Sequence, residues 1–170
     1  TLFEQQVLGY SPLRGGLSYL TFGAGMLLGI GVGALVMPRA GVKPLLSAGF
    51  FGCGAGLWLI SDLTTHSTYL HNIAPGMFVL AFSAGIAFPG LNNAALHNVT
   101  GQDSSLASGV QSAMQQIGGA IGLSFLVTLA LRHAASQARH GVTQTIASTH
   151  GYDLAWRIGA ILCIVGGAMV

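Results

Sequence analysis

From Ser104 to Leu131 the chain carries no Asp, Glu, Lys or Arg, and this run constrains the fold more than any other feature. At about 1.5 Å rise per residue, a helix of that length crosses a hydrocarbon core about 30 Å thick. An open strand or loop in hydrocarbon would leave backbone N–H and C=O groups unpaired, so a helix is the economical solution. The run is nevertheless not uniformly greasy. Its first half, Leu106 to Gly122, reads LASGVQSAMQQIGGAIG. At about 100° per residue, Ser108, Gln111, Ser112, Gln115, Gly119 and Gly122 fall within roughly 60° of one line. A polar, small-residue stripe on a membrane helix faces protein or a water-filled cavity rather than lipid.

Composition extends this reading to the whole chain. Only 6% of the residues are charged and 52% are hydrophobic, whereas soluble domains carry about 25% charge. A water-facing surface cannot be built from such a sequence, and disorder is excluded for the same reason. The formal charge of +2, with no basic patch, gives nucleic acid no footprint. Glycine is abundant at 26 residues while proline numbers 5, a balance that suits helices approaching closely in a membrane bundle. Cys53 and Cys163 both lie in apolar runs and read as buried thiols. The chain begins at Thr1 without Met and stops inside an apolar run at Val170, as a piece of a longer protein would.

Gaps between charges mark five complete spans: Leu13 to Met37, Pro44 to Ser61, Ile73 to Leu96, Ser104 to Leu131 and Tyr152 to Val170. Leu2 to Leu8 reads as the tail of a preceding helix, followed by a turn at Gly9 to Pro12. Pro38 is expected to end the first span, and Asp103 or Ser104 to cap the fourth. Residues 132–151 form the longest expected connection. Alternation of direction puts the turn at Tyr10 and the connections 62–72 and 132–151 on one membrane face, with Tyr10, Trp58, Tyr69, Tyr152 and Trp156 as an aromatic belt. The loops 38–43 and 97–103 share the other face. Counting cations gives Arg39 and Lys43 against Arg14, Arg132, Arg139 and Arg157, so charge alone leaves orientation open.

Several motifs have both a structural and a functional reading. Gly25, Gly29 and Gly33, then Gly52 and Gly56, then Gly118 and Gly122 repeat at four-residue spacing. Such pairs flatten one helix face for close packing, and glycine-lined contacts also let helices slide. Ser108, Gln111, Ser112 and Gln115 either bond to neighbouring helices or line a substrate cavity. Pro89 and Gly90 are expected to kink the third span just before Asn92 and Asn93, two amides that either line the cavity or end the helix at the interface. The six histidines, at 66, 71, 97, 133, 140 and 150, form no metal-ligand spacing. No nucleophile set, phosphate loop or dinucleotide fingerprint occurs, so neither an enzyme nor a cofactor is expected. Asp62, Asp103 and Glu4 fall in loops or near span ends, and Asp153 at a span end. No carboxylate is expected in the middle of a complete span to carry a proton.

The strings LFEQQVLGYSPLRGGL, PRAGVKPLLSAG, AFPGLNNAAL and LASGVQSAMQQIGGAIG, in this order and spacing, resemble the C-terminal half of the major facilitator superfamily. Within it they resemble the fourteen-helix drug:proton antiporter branch, the EmrB/QacA-type multidrug exporters. The resemblance implies an all-α polytopic membrane protein: a C-terminal bundle over residues 1–170, with five complete transmembrane helices, the tail of a sixth, and an N-terminal half elsewhere. It implies that Arg39, Gly41 and Lys43 form a cytoplasmic gate loop, with Pro38 standing where that motif carries an Asp. The connection 132–151 would then lie outside. The implied cavity is lined by the tail at 2–8 and the spans beginning at Leu13, Ile73 and Ser104, while those beginning at Pro44 and Tyr152 are peripheral.

The function so implied is proton-coupled efflux of drugs or other small hydrophobic or cationic compounds from the cell, across the inner membrane, by alternating access. The partners would be the small-molecule substrate, protons, the bilayer and the N-terminal half. Substrate-cavity candidates are Ser108, Gln111, Ser112, Gln115, Asn92 and Asn93. A rival reading keeps the fold but makes the cargo one metabolite, antibiotic or lipid precursor. Another is a membrane scaffold that transports nothing.

Overall fold

A computed structural model describes residues 12–61, 74–95, 99, 103–139 and 143–170; side chains of 12–18, 138–139 and 144–145 are excepted. These residues form five helices: α1 (Pro12–Ala40), α2 (Val42–Ser61), α3 (Ala74–Ala95), α4 (Ser104–Arg139) and α5 (Gln144–Met169). All five contain a stretch long and apolar enough to cross a membrane. The chain is therefore an all-α, multi-pass membrane protein. The expected helical tail at 2–8, the turn at 9–11 and the connection 62–72 lie outside the described residues.

Helix ends depart from the expected spans in two places. Pro38 does not end α1. Lying in the last turn, it removes a single helical donor, and the helix continues to Ala40. The stop is Gly41, whose φ of 83° turns the chain left-handed while its N–H donates to the Met37 carbonyl at 3.0 Å. Pro44 then sits in the first turn of α2, where its missing N–H has no helical partner to lose. The expected connection 132–151 is mostly helix: α4 runs on to Arg139 and α5 begins at Gln144. With 36 residues, α4 is about 54 Å long and overshoots a core of about 30 Å. The C-terminal turns of α4 and the first turns of α5 thus stand as helix where a connection was expected. The other end of α4 follows the expectation, with the Asp103 carbonyl accepting the first helical bond from the Ala107 N–H at 2.9 Å.

Glycine strips decide which helices meet. α3 is held between α1 and α2, α2 also packs on α5, and α5 on α4. On α1, a Cβ added at Gly25 would lie 2.9 Å from the Phe78 carbonyl oxygen and one at Gly33 2.7 Å from that of Ile86. Gly29, between them, faces the Phe82 carbonyl, so a four-residue strip on one helix meets a four-residue ridge on the other. Gly52 and Gly56 do the same for α2, against Ser83 and Leu80 of α3. Gly118, Gly119 and Gly122 differ: a Cβ there meets nothing within 4 Å among the described residues. α2 is flanked on two sides and is the most buried of the five spans, whereas α4 is the least buried. α4 touches α3 only marginally, and the opening between them is where the polar stripe becomes interesting.

Candidate functional site: an amide pair between α3 and α4

Asn92 lies in the last turn of α3. Its Nδ2 donates to the Phe88 carbonyl, one turn back, at 2.9 Å. Because a backbone carbonyl can only accept, this bond fixes the amide orientation and turns Oδ1 outward. Oδ1 then accepts a 2.8 Å hydrogen bond from Gln111 Nε2 of α4. The same logic passes along the pair: giving one N–H of its NH2 to Asn92 sets the orientation of the Gln111 amide, whose second N–H stays at the Asn92 end and whose Oε1 accepts no hydrogen bond from the described residues. Beside this bond is an open cavity of about 450 Å³ lined by Leu91, Ala95, Val110, Gln111, Met114 and Gln115. Its wall is largely apolar, with two neutral amides and no charged group, the balance typical of small-molecule sites. Gln111 is about 10 Å along α4 and Gln115 about 16 Å, so the cavity runs inward along the first half of the helix.

The other predicted cavity residues are dispersed. Ser108 Oγ donates to the Ser104 carbonyl of its own helix at 2.8 Å, which turns the hydroxyl back onto α4. Ser112 is exposed and does not line the cavity. Asn93, adjacent to Asn92, points to a second open cavity of about 480 Å³ with Val42, Lys43, Leu46, Ala94 and Val170. Lys43 of the basic loop therefore meets the Asn93 end of α3, while Arg39 and Gly41 lie exposed at the α1–α2 turn. α3 passes through Pro89 and Gly90 as one helix. Gly90 packs against Leu46, whose Cδ2 would lie 3.1 Å from a Cβ added at the glycine. The apolar part of the lining, Leu91, Val110 and Met114, was absent from the sequence candidates; its signal is only that these residues neighbour the amides along their helices.

A second cluster occupies the opposite end of the bundle. Arg157 Nε pairs with Asp153 Oδ1 at 3.0 Å, and the guanidinium carbon lies 5.9 Å from the centroid of the Trp58 ring. The Tyr152 and Trp156 rings stack at 6.0 Å. Because α5 begins at Gln144, Asp153 lies about two and a half turns inside the helix. Its charge is matched one turn later by Arg157. The grouping of Trp58, Tyr152 and Trp156 is what an interfacial belt requires; Tyr10 and Tyr69 lie outside the described residues. Among the described residues no group of three His, Cys, Asp or Glu could hold a metal ion.

Five apolar helices, glycine-strip packing and an amide-lined cavity describe a polytopic helical bundle, and comparison with known proteins specifies its family. The family model of the Major Facilitator Superfamily matches residues 1–123, and the chain belongs to that family of transporters. It is 29% identical, over 95% of its length, to the puromycin resistance protein of Streptomyces alboniger, of which it covers 34%. It is 33% identical to the lincomycin resistance protein of Streptomyces lincolnensis, over 76% of this chain and 27% of that one. The cephamycin export protein of Amycolatopsis lactamdurans is 32% identical over the same shares, 76% and 27%. The chain thus spans about a third or less of the length of these relatives.

Proposed function

We propose that this chain forms part of a proton-coupled exporter of drugs or other small hydrophobic or cationic compounds, working by alternating access across the bacterial inner membrane. The observation that carries the reading is the open cavity between α3 and α4, apolar but for the amides of Gln111 and Gln115. It lies where two helices of the bundle barely touch. A weakly tied helix beside a cavity can move without breaking a packed core, and transporter sites form at such interfaces. The relatives named for resistance to puromycin and lincomycin and for cephamycin export support small-molecule cargo and efflux. They also favour a second reading, in which the cargo is a single antibiotic.

In this proposal Arg39, Gly41 and Lys43 sit at the cytoplasmic face, Pro89 gives α3 a compliant point near the cavity, and Gly118 and Gly122 serve packing against another part of the whole transporter. Proton coupling rests on carboxylates elsewhere in that transporter, since no carboxylate lines this cavity. The test is ethidium accumulation in cells expressing the full-length protein, with and without a proton gradient. Accumulation should fall only when the gradient is intact. Gradient-independent accumulation sinks proton coupling.

A further inference from the structure

The hydrogen-bond chain from the Phe88 carbonyl through Asn92 to Gln111 has a directional consequence. Each link is forced by the one before: the carbonyl takes the Asn92 NH2, and the Asn92 oxygen takes the Gln111 NH2. The end of the Gln111 amide away from Asn92 is therefore Oε1, an acceptor, in a lining that also holds Leu91, Val110 and Met114. An amide left to itself recognises donors and acceptors equally, because it can rotate by half a turn. This one has lost that freedom. The geometry points to a cavity selective for cargo that presents a hydrogen-bond donor (an N–H or O–H group on a largely apolar body), with Gln111 as the binding residue and Asn92 as the residue that orients it. The inference deepens the efflux reading above and rests on it.

The polarity of the site has a second support. Cargo with only acceptors would bring its lone pairs against Oε1 in an apolar surround, where an unmatched polar contact is costly. Gln115, one turn further along α4 and without a hydrogen bond to the described residues, lies beside the site and can turn either way. It broadens what else the cargo can carry. The discriminating contact is therefore at Gln111. Losing one such bond costs roughly tenfold in affinity when the cargo donor is charge-assisted, and less when it is neutral.

The test uses the full-length transporter in proteoliposomes and two dyes: the N-unsubstituted rhodamine methyl ester, whose exocyclic nitrogens carry N–H donors, and its tetramethyl analogue, in which methyl groups replace those hydrogens. Both are cations on one skeleton, so the driving force on each is the same. In wild type the KM for the unsubstituted dye should be about five- to tenfold lower. Gln111→Leu should bring the KM values of the two dyes together, with an unchanged melting temperature of the purified variant reporting that it is folded. Asn92→Leu, which frees the Gln111 amide to rotate, should erase part of the preference. Asn92→Asp, which still accepts from Gln111, should restore it. Equal KM values for the two dyes in wild type overturn the proposal whatever the variants do, as does a Gln111→Leu effect of equal size on both dyes. Export of neither dye by wild type overturns the reading of this chain as part of a broad drug exporter, and this proposal with it.

Discussion

A methyl group added at Gly29 runs into the Phe82 carbonyl of α3, whereas one added at Gly31, half a turn away on the same helix, meets nothing within 4 Å. The two substitutions share the same gain in helix propensity, about 1 kcal/mol for Gly→Ala, so packing alone separates them. Gly29→Ala should destabilise by about 1–3 kcal/mol net, the usual cost of overfilling a tight contact. Gly31→Ala should leave stability unchanged or slightly raised. Thermal unfolding of the detergent-purified transporter reads the difference, and equal melting temperatures for the two variants would contradict the backbone-on-backbone contact of α1 and α3. The amide pair is a residue-scale feature of another kind, in which one backbone carbonyl sets the polarity of a side chain on a different helix.

At the scale of the element, Pro89 is the point to probe. Lacking an N–H, it leaves the Gly85 carbonyl of α3 without its helical donor. Pro89→Ala supplies that donor and should raise the melting temperature while slowing export, because a stiffer α3 resists the bending that a moving helix needs. An unchanged export rate in a more stable variant would argue that Pro89 has no part in the motion. The elements also explain what was legible beforehand. The existence of all five helices followed from long charge-free stretches, since hydrocarbon leaves the backbone few alternatives. The ends do not follow as well, because charge limits a membrane span, not a helix. Arg132 to Arg139, reading RHAASQAR, has neither Gly nor Pro before Gly141, and nothing in it stops a helix. Periodicity likewise grouped Gln111 and Gln115 with Ser108 and Ser112 on one face. It could not tell that Ser108 turns back to Ser104 or that Asn92, not Asn93, reaches across to α4. Those outcomes depend on which helix stands opposite, and a single helix's pattern carries no such information.

For the whole molecule, the arrangement separates a packed part from a loosely tied one. α1, α2 and α3 are fastened by glycine strips that bring backbones into contact, and α5 joins them through α2. α4 is held through α5 and meets α3 mainly at the Asn92–Gln111 bond. This arrangement, with α4 attached on one side only, leaves the long polar-striped helix largely uncovered among the described residues. The central claim is that this stripe borders a water-filled path taken by cargo. The most direct measurement introduces Gln115→Cys into the full-length transporter carrying Cys53→Ala and Cys163→Ala, with Leu162→Cys on the outer face of α5 as the control. A membrane-impermeant thiol reagent should label Gln115→Cys, ethidium should slow that labelling, and Leu162→Cys should stay unlabelled. A Gln115→Cys protein that exports ethidium yet resists the reagent, or labels at the same rate with and without ethidium, would contradict the cavity.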